Sequence, residues 1–269
     1  MTVVTHEIPG SPPRVRRFGA VWLCIAGFGQ IAFIGFILLH YGLPTVAGQW
    51  EAWNEKPLID GHKPGDTGGN VVFILHVLGA AIMTGAGLLQ LIPVLRRRMP
   101  KVHRWSGRTF IALAVGMALS GLWLVWVRGT YLSIPAAVFV SINAIIILVC
   151  SGFTLQRAMV RKFAEHERWA LRAFLAASGV WFLRVEMMAW MLLNQGPRGM
   201  NTTMSGPADI GIQFGSFILP LLVLELYFRM RDRRQYRIAW PAAAAMTAII
   251  ALTAVGIAGT IAFMWMPYL

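Results

Sequence analysis

The chain has 269 residues, 57% of them hydrophobic and only 13% charged, yet its formal net charge is +13. Soluble domains run nearer about 45–50% apolar and about 25% charged. The composition therefore excludes a water-soluble globular enzyme, a disordered chain and a nucleic-acid-binding domain as the default. The basic excess, with a pI near 11.0, points instead to a membrane protein whose Lys and Arg collect in cytoplasmic loops.

A bilayer core takes about 20 apolar residues as helix. Seven stretches reach that length, at 18–40, 71–95, 107–127, 132–156, 169–193, 210–229 and 239–267. The first follows a basic tail, is too long for a signal-peptide core and lacks a small-residue cleavage site, so it reads as an uncleaved span. The fourth opens with Pro135 and the seventh with Pro241 in the first turn, where a missing N–H costs little. Apolarity without period-two alternation predicts helices throughout. Cys24 and Cys150 fall inside apolar runs and form neither a disulfide framework nor a zinc spacing.

The loops orient the chain. Basic residues crowd 14–17, 96–108, 157–172 and 229–237, whereas the alternate loops hold Lys56, Lys63, Arg128 and Arg198 with Glu51, Glu55, Asp60, Asp66 and Asp209. The positive-inside rule puts the first set in the cytoplasm, N-terminus inside and C-terminus outside. Nineteen of the 24 basic residues lie in or beside these segments, so the charge reports orientation and lipid contact and needs no nucleic-acid partner. The predicted fold is all-α with seven membrane spans. Residues 1–17 form a cytoplasmic tail and 18–269 one polytopic domain, with spans two to five as a four-helix core flanked by spans one, six and seven. Residues 41–70 are either a small lid or an unstructured connection.

An internal echo runs through the core. His103-Arg104-Trp105-Ser106-Gly107-Arg108-Thr109-Phe110 follows the second span, and His166-Glu167-Arg168-Trp169-Ala170-Leu171-Arg172-Ala173-Phe174 follows the fourth. Both read His, then Arg-Trp-x-x-Arg-x-Phe, with one residue inserted in the second copy. Spans two–three and four–five thus look like two copies of one hairpin, as in transporters with parallel repeats. Helix N-termini and arginines attract anions. Arg104, Trp105, Arg108, Arg168, Trp169 and Arg172 are therefore candidates for an anionic headgroup site. The bland alternative is an interfacial Trp belt with arginines on lipid phosphates.

Histidines inside a membrane mark functional candidates, with haem ligation one such use. His76 lies in span two, His40 at the outer end of span one, and His103 and His166 at the inner ends of spans three and five. From His76 to residue 95 is about 28 Å of helix at 1.5 Å per residue, so His76 and His103 cannot share one iron. His76 could pair with His40, and His103 with His166. The pattern of two histidines on each of two spans, expected of a two-haem cytochrome, is absent. His76 shares a face with Gly79, Ala80, Met83 and Gly87, which suits a porphyrin, a quinone ring or another helix. Arg184 and Glu186 sit deep in span five, two residues apart and so on different faces. An outer-half polar cavity lined by His76, Arg184 and Trp181 is one expectation, and a structural ion pair or a snorkelling Arg184 the other. Glu225 reads as an interfacial partner for nearby arginines.

These motifs resemble a bacterial membrane family, the domain of unknown function 2306 family. The resemblance rests on His76, the Arg-Arg-Arg-x-Pro-x-x-His-Arg-Trp-x-Gly-Arg run at 96–108, the His-x-Arg-Trp-x-x-Arg run at 166–172 and Leu183-Arg184. It covers about residues 70–195. His166-Glu167-Arg168 departs from the family's His-Arg spacing. The family implies no established activity, and its four-helix core is similar to haem-binding membrane cytochromes only at the level of fold.

The leading functional expectation is a redox protein binding haem b or quinone, with His76 at an outer site and His103 or His166 at an inner one. If haem is bound, its iron ligand would be His76 or His40. The alternatives are a transporter or anionic-lipid-binding protein using Arg184 and the cytoplasmic arginines, or a non-catalytic accessory subunit in a homo-oligomer or membrane complex.

Overall fold

A computed structural model describes residues 13–56, 59–232 and 240–269. Residues 1–12 of the expected 1–17 tail and residues 233–237 of the basic 229–237 segment lie outside the described residues. Every regular element among them is helical. The first span comprises α1 (Pro13–Ile37), a π-helical turn at Leu38–Gly42 and the short α2 (Leu43–Val46). After a 3-10 turn at Trp50–Asn54 come α3 (Thr67–Gln90), α4 (Pro93–Arg98), α5 (Pro100–Trp126), α6 (Ile134–Met159), α7 (Phe163–Ala177), α8 (Gly179–Leu193), α9 (Pro207–Asp232) and α10 (Trp240–Gly259). A second π-helical turn at Thr260–Trp265 and a 3-10 turn at Met266–Tyr268 finish the chain.

Six of these helices are long and apolar enough to cross a membrane, and α7 with α8 makes a seventh span bent by 55°. The sequence signals explain most boundaries. Asp66 caps α3 by accepting the N–H of Gly69, and Ser133 caps α6 by accepting that of Ala136. Such caps satisfy donors that have no partner within the helix. Pro135 and Pro241 occupy first turns, as anticipated, and Pro100 opens α5 in the same way. Pro220 sits inside α9, tolerable because neighbouring helices can take up freed backbone groups.

The expected straight fifth span is instead broken at Ala177–Ser178–Gly179. Its backbone is held by neighbours. Asn143 of α6 donates to the Ala176 carbonyl at 3.1 Å, and Gln30 of α1 donates to the Ser178 hydroxyl at 3.1 Å. A Ser-Gly pair is a frequent site of such kinks.

The helices form a ring. α3 packs on α1 and α5, α5 on α6, α6 on α7, α8 on α9 and α10, and α10 returns to α1. Small residues let backbones approach where lipid gives no hydrophobic drive. A Cβ on Gly256 would meet the Val185 carbonyl of α8, and one on Gly29 would meet Ile257 at 2.7 Å and Trp181 at 2.8 Å. Spans one and seven therefore do more than flank the core: they close the ring.

The described residues of the 41–70 stretch, 41–56 and 59–70, form a lid over one end of the ring. Trp53 is buried beneath it, beside Phe73 of α3. Asn54 and His62 exchange two hydrogen bonds, as do Lys63 and Asn70. The bolt is Arg128, whose side chain is 2% exposed. It donates to Asp66 at 2.8 Å, to the Gly61 carbonyl at 2.9 Å and to Asn70 at 2.6 Å. That arrangement holds the Asp66 carboxyl below its usual range, chiefly through the Arg128 hydrogen bond.

Candidate functional site

The ring borders a partly open cavity of about 590 Å³, within the size range of small-molecule and cofactor sites. Its wall is mostly apolar, with Phe33, Phe36, Met83, Met117, Met187 and Met191 among its residues. Every span except the sixth contributes to that wall, and the lid adds Lys56 and Ile59. Both π-helical turns border it, through Tyr41 in one and Phe263 with Met264 in the other. Single π turns recur at functional sites.

His76, Trp181 and Arg184 all line this one cavity. His76 Nδ1 lies 2.8 Å from the Ser120 hydroxyl. That hydroxyl donates its own hydrogen to the Gly116 carbonyl at 2.7 Å. Ser120 therefore accepts from Nδ1–H, and this fixes the imidazole tautomer with a bare lone pair on Nε2. Nε2 has no hydrogen-bond partner among the described residues. The small-residue face around His76 divides between two tasks. Gly79 meets Met117 of α5 and Gly87 meets Phe174 of α7, which is helix packing, while Ala80, Met83 and Thr84 line the cavity.

Arg184 is wrapped by protein, and the surface it retains faces the cavity. Its Nη1 donates to the Val180 carbonyl at 2.8 Å, its Nε has no partner, and its guanidinium lies 5.5 Å from the centre of Phe33. It forms no ion pair with Glu186, which faces Gly215 of α9. Lys56 comes from the lid, with its ammonium 5.5 Å from the centre of Phe36. Burial, and then the charge of Arg184, pull the Lys56 ammonium down to about 7. No Asp or Glu among the described residues lines the cavity. Unpartnered polar atoms cluster on its wall: Gln30 Oε1, Thr130 Oγ1, Asn143 Oδ1, Trp181 Nε1 and Arg184 Nε.

His40 stands apart from this wall. Its Nδ1 bonds the Tyr268 carbonyl at 3.1 Å and its ring stacks on Phe36. At the opposite, basic end of the ring, the duplicated motif is spatially equivalent in its two copies. His103 and His166 are each the fourth residue of their helix, α5 and α7. In both copies the arginine stacks on the tryptophan one turn before it, Arg108 on Trp105 at 5.3 Å and Arg172 on Trp169 at 4.7 Å. The two imidazoles are electrostatic neighbours, and His166 Nδ1 bonds the Thr154 carbonyl at 2.9 Å.

The second copy is tied to α9 by ion pairs. Arg168 meets Asp232 and Arg172 meets Glu225, each at 2.6 Å, while Glu167 takes Arg231 at 2.9 Å. Arg168 and Arg172 thus have carboxylates within the chain. Arg104 and Arg108 have no such pair among the described residues.

Sequence reasoning passed over Lys56, Gln30 and Asn143. The two amides carried a signal, since polar side chains inside a span usually bond between helices. Lys56 carried none, being one charge among several in an outer loop.

Among the described residues, no cluster of three or more His, Cys, Asp and Glu side chains could hold a metal ion by itself. A haem is different, because the porphyrin supplies four ligands and the protein need supply one or two. The cavity meets that need with one imidazole lone pair and an apolar, methionine-rich wall.

No curated protein and no solved structure matches the chain. A family model described as "Predicted membrane protein (DUF2306)" matches residues 73–208, from α3 to the start of α9. That interval ends at the second residue of α9, includes His76, both copies of the His/Arg-Trp motif and Arg184, and covers just over half of the 269 residues. The chain is a multi-pass membrane protein and belongs to the domain of unknown function 2306 family.

Proposed function

We propose that the protein is a membrane redox protein whose cavity holds haem b or a quinone. The observation that supports this most is His76, the single imidazole on a large apolar wall, with Nδ1 engaged by Ser120 and Nε2 bare. An imidazole fixed in this tautomer is suited to ligate a haem iron or to accept the hydroxyl hydrogen of a quinol. When bound, either cofactor supplies the electron chemistry. The chain supplies the orienting imidazole, the apolar enclosure and the cations Arg184 and Lys56, which suit haem propionates or the reduced oxygens of a quinone. With the basic end in the cytoplasm of a bacterial inner membrane, this site lies in the outer half. His103 and His166 at the inner end are the candidates for a second one.

The test is the absorption spectrum of protein purified after expression with ample haem, together with quenching of Trp181 fluorescence by added quinone. A Soret band or saturable quenching, lost in His76→Ala, is expected. Colourless protein that no quinone quenches contradicts the reading.

A transport role is favoured by one different observation, the 55° break between α7 and α8. Interrupted spans that present polar groups to a midplane cavity are a feature of transporters. Ligand-dependent uptake into vesicles, absent in Arg184→Ala, is its signature.

A further inference from the structure

We propose that Arg184 and Lys56 clamp the anionic head of an amphipathic ligand whose apolar body fills the cavity. This rests on the reading that the cavity holds a ligand, and it assigns that ligand's chemical class: one carboxylate or phosphate group on a long or flat apolar body.

The charge balance of the wall carries the argument. Among the described residues, the wall holds two cationic side chains, Arg184 and Lys56, and no carboxylate. Neither Arg184 nor Lys56 has an ion pair among the described residues, whereas Arg128, Arg157, Arg168, Arg172 and Arg231 all do. Those five are matched within the chain and lie outside the cavity; Arg104 and Arg108 at the basic end are unmatched as well among the described residues, but they do not line the cavity, where an unmatched charge is shut away from water. A buried cation without a counter-ion is costly, and two on one wall, close enough for Arg184 to act on Lys56, cost more. An anion placed between them removes both costs.

The geometry of Arg184 adds direction. Its Nη1 is spent on the Val180 carbonyl of its own helix. On the edge formed by Nε and Nη2, Nε is buried and unpartnered, and Nη2 makes no hydrogen bond among the described residues. That edge is the one that chelates a carboxylate or phosphate with two parallel hydrogen bonds. Phe33 and Phe36 of α1 lie under the two cations, each 5.5 Å away. Cation–π contact of this kind steadies a charge without neutralising it. The rest of the wall suits an apolar body, because methionine side chains adapt to irregular or variable shapes. The arrangement is also directional. Lys56 reaches in from the lid and Arg184 from α8, so the head lies toward the lid and the body toward Met83 and Met117.

The test uses the full chain purified in a nonionic detergent at pH 6, with thermal unfolding and Trp fluorescence as readouts. The probes are oleate, methyl oleate and oleoyl-lysophosphatidic acid. Oleate is expected to raise the unfolding midpoint and methyl oleate to leave it unmoved. Arg184→Gln and Lys56→Met are each expected to weaken oleate about tenfold or more, the scale of one charge-assisted hydrogen bond. Arg184→Lys is expected to retain part of the affinity. If Arg184→Gln fails to fold, Lys56→Met alone decides, because it lies on the lid. Tighter binding of lysophosphatidic acid than of oleate assigns a phosphate head, and the reverse order a carboxylate. Equal stabilisation by oleate and methyl oleate, or full oleate affinity in the variants, overturns the clamp. These probes are colourless and redox-inert. Selective oleate binding by protein that takes neither haem nor quinone therefore leaves the clamp standing and removes the redox reading. A Soret band without anion selectivity does the opposite.

Discussion

Ser120 takes the Nδ1–H of His76 at 2.8 Å and hands its own hydroxyl hydrogen to the Gly116 carbonyl at 2.7 Å. The relay joins α3 to α5 and decides which nitrogen of His76 is bare. Ser120→Ala removes the acceptor and frees both tautomer and ring orientation. Loss of such an orienting partner typically lowers metal-site affinity by about 10–100-fold. Cofactor affinity is expected to fall on that scale, while stability falls by only about 1 kcal/mol. Spectral titration and thermal unfolding of the variant separate the two.

A pH dependence follows from Lys56. Its ammonium titrates at about 7 against an ordinary 10.5. The charged and titratable groups bearing on it are Arg184 of α8, His40 in the first span and the adjacent Glu55, with Tyr41 lining the same wall. Below pH 7 the ammonium is present, and above it the charge is lost. Anion affinity is therefore expected to fall between pH 6 and 8.5, and Lys56→Met to flatten the profile. The stability sign is the reverse. Between about 7 and 10.5 the unfolded chain binds a proton that the folded chain has released. The Lys56 contribution thus makes ligand-free protein more stable as pH rises through that window. Unfolding midpoints across the range, wild type against Lys56→Met, check both signs.

The lid depends on Arg128. Arg128→Ala removes hydrogen bonds to Asp66, Gly61 and Asn70 at once. A loss of roughly 2–3 kcal/mol is expected, since bonds to a charged group are worth more than neutral ones. Faster hydrogen exchange should appear in residues 50–66. Because the Asp66 carboxyl is held low, its contribution is present above the ordinary value of 3.8 and lost as pH falls through its folded value. Lid exchange should consequently rise on strong acidification, and Asp66→Asn should remove that step.

Packing of the seventh span on α8 leaves no room at Gly256, where a Cβ would meet the Val185 carbonyl and lie 2.7 Å from Val185 Cγ1. Gly256→Val is expected to cost about 1–3 kcal/mol through overpacking. Gly116→Ala, where nothing lies within 4 Å of the added carbon, is the matched control. An unchanged midpoint for Gly256→Val contradicts the packing described.

Much of this molecule is legible in its sequence because lipid imposes few choices. Apolar length and Lys/Arg clustering mark the spans, and Asp66, Ser133, Pro100 and Pro135 mark helix starts by local chemistry. His76, Trp181 and Arg184 are visible as polar or aromatic groups at similar depth, and the structure places them around one cavity. The break at Ser178 was less legible. Its Ala-Ala-Ser-Gly signal is short, and the bend is held by Gln30 and Asn143 from distant spans. Lys56 was illegible for a related reason. The fold of the lid, set by Trp53 and Arg128, turns an ordinary loop lysine into a wall residue. The partners of Arg168 and Arg172 also come from another span, through Asp232 and Glu225.

The most direct test of the redox account is native mass spectrometry of the full chain released gently from its own membrane. One bound haem b or one quinone per chain is predicted, and its loss is predicted in His76→Ala. A chain that carries neither, in wild type as in the variant, contradicts the account.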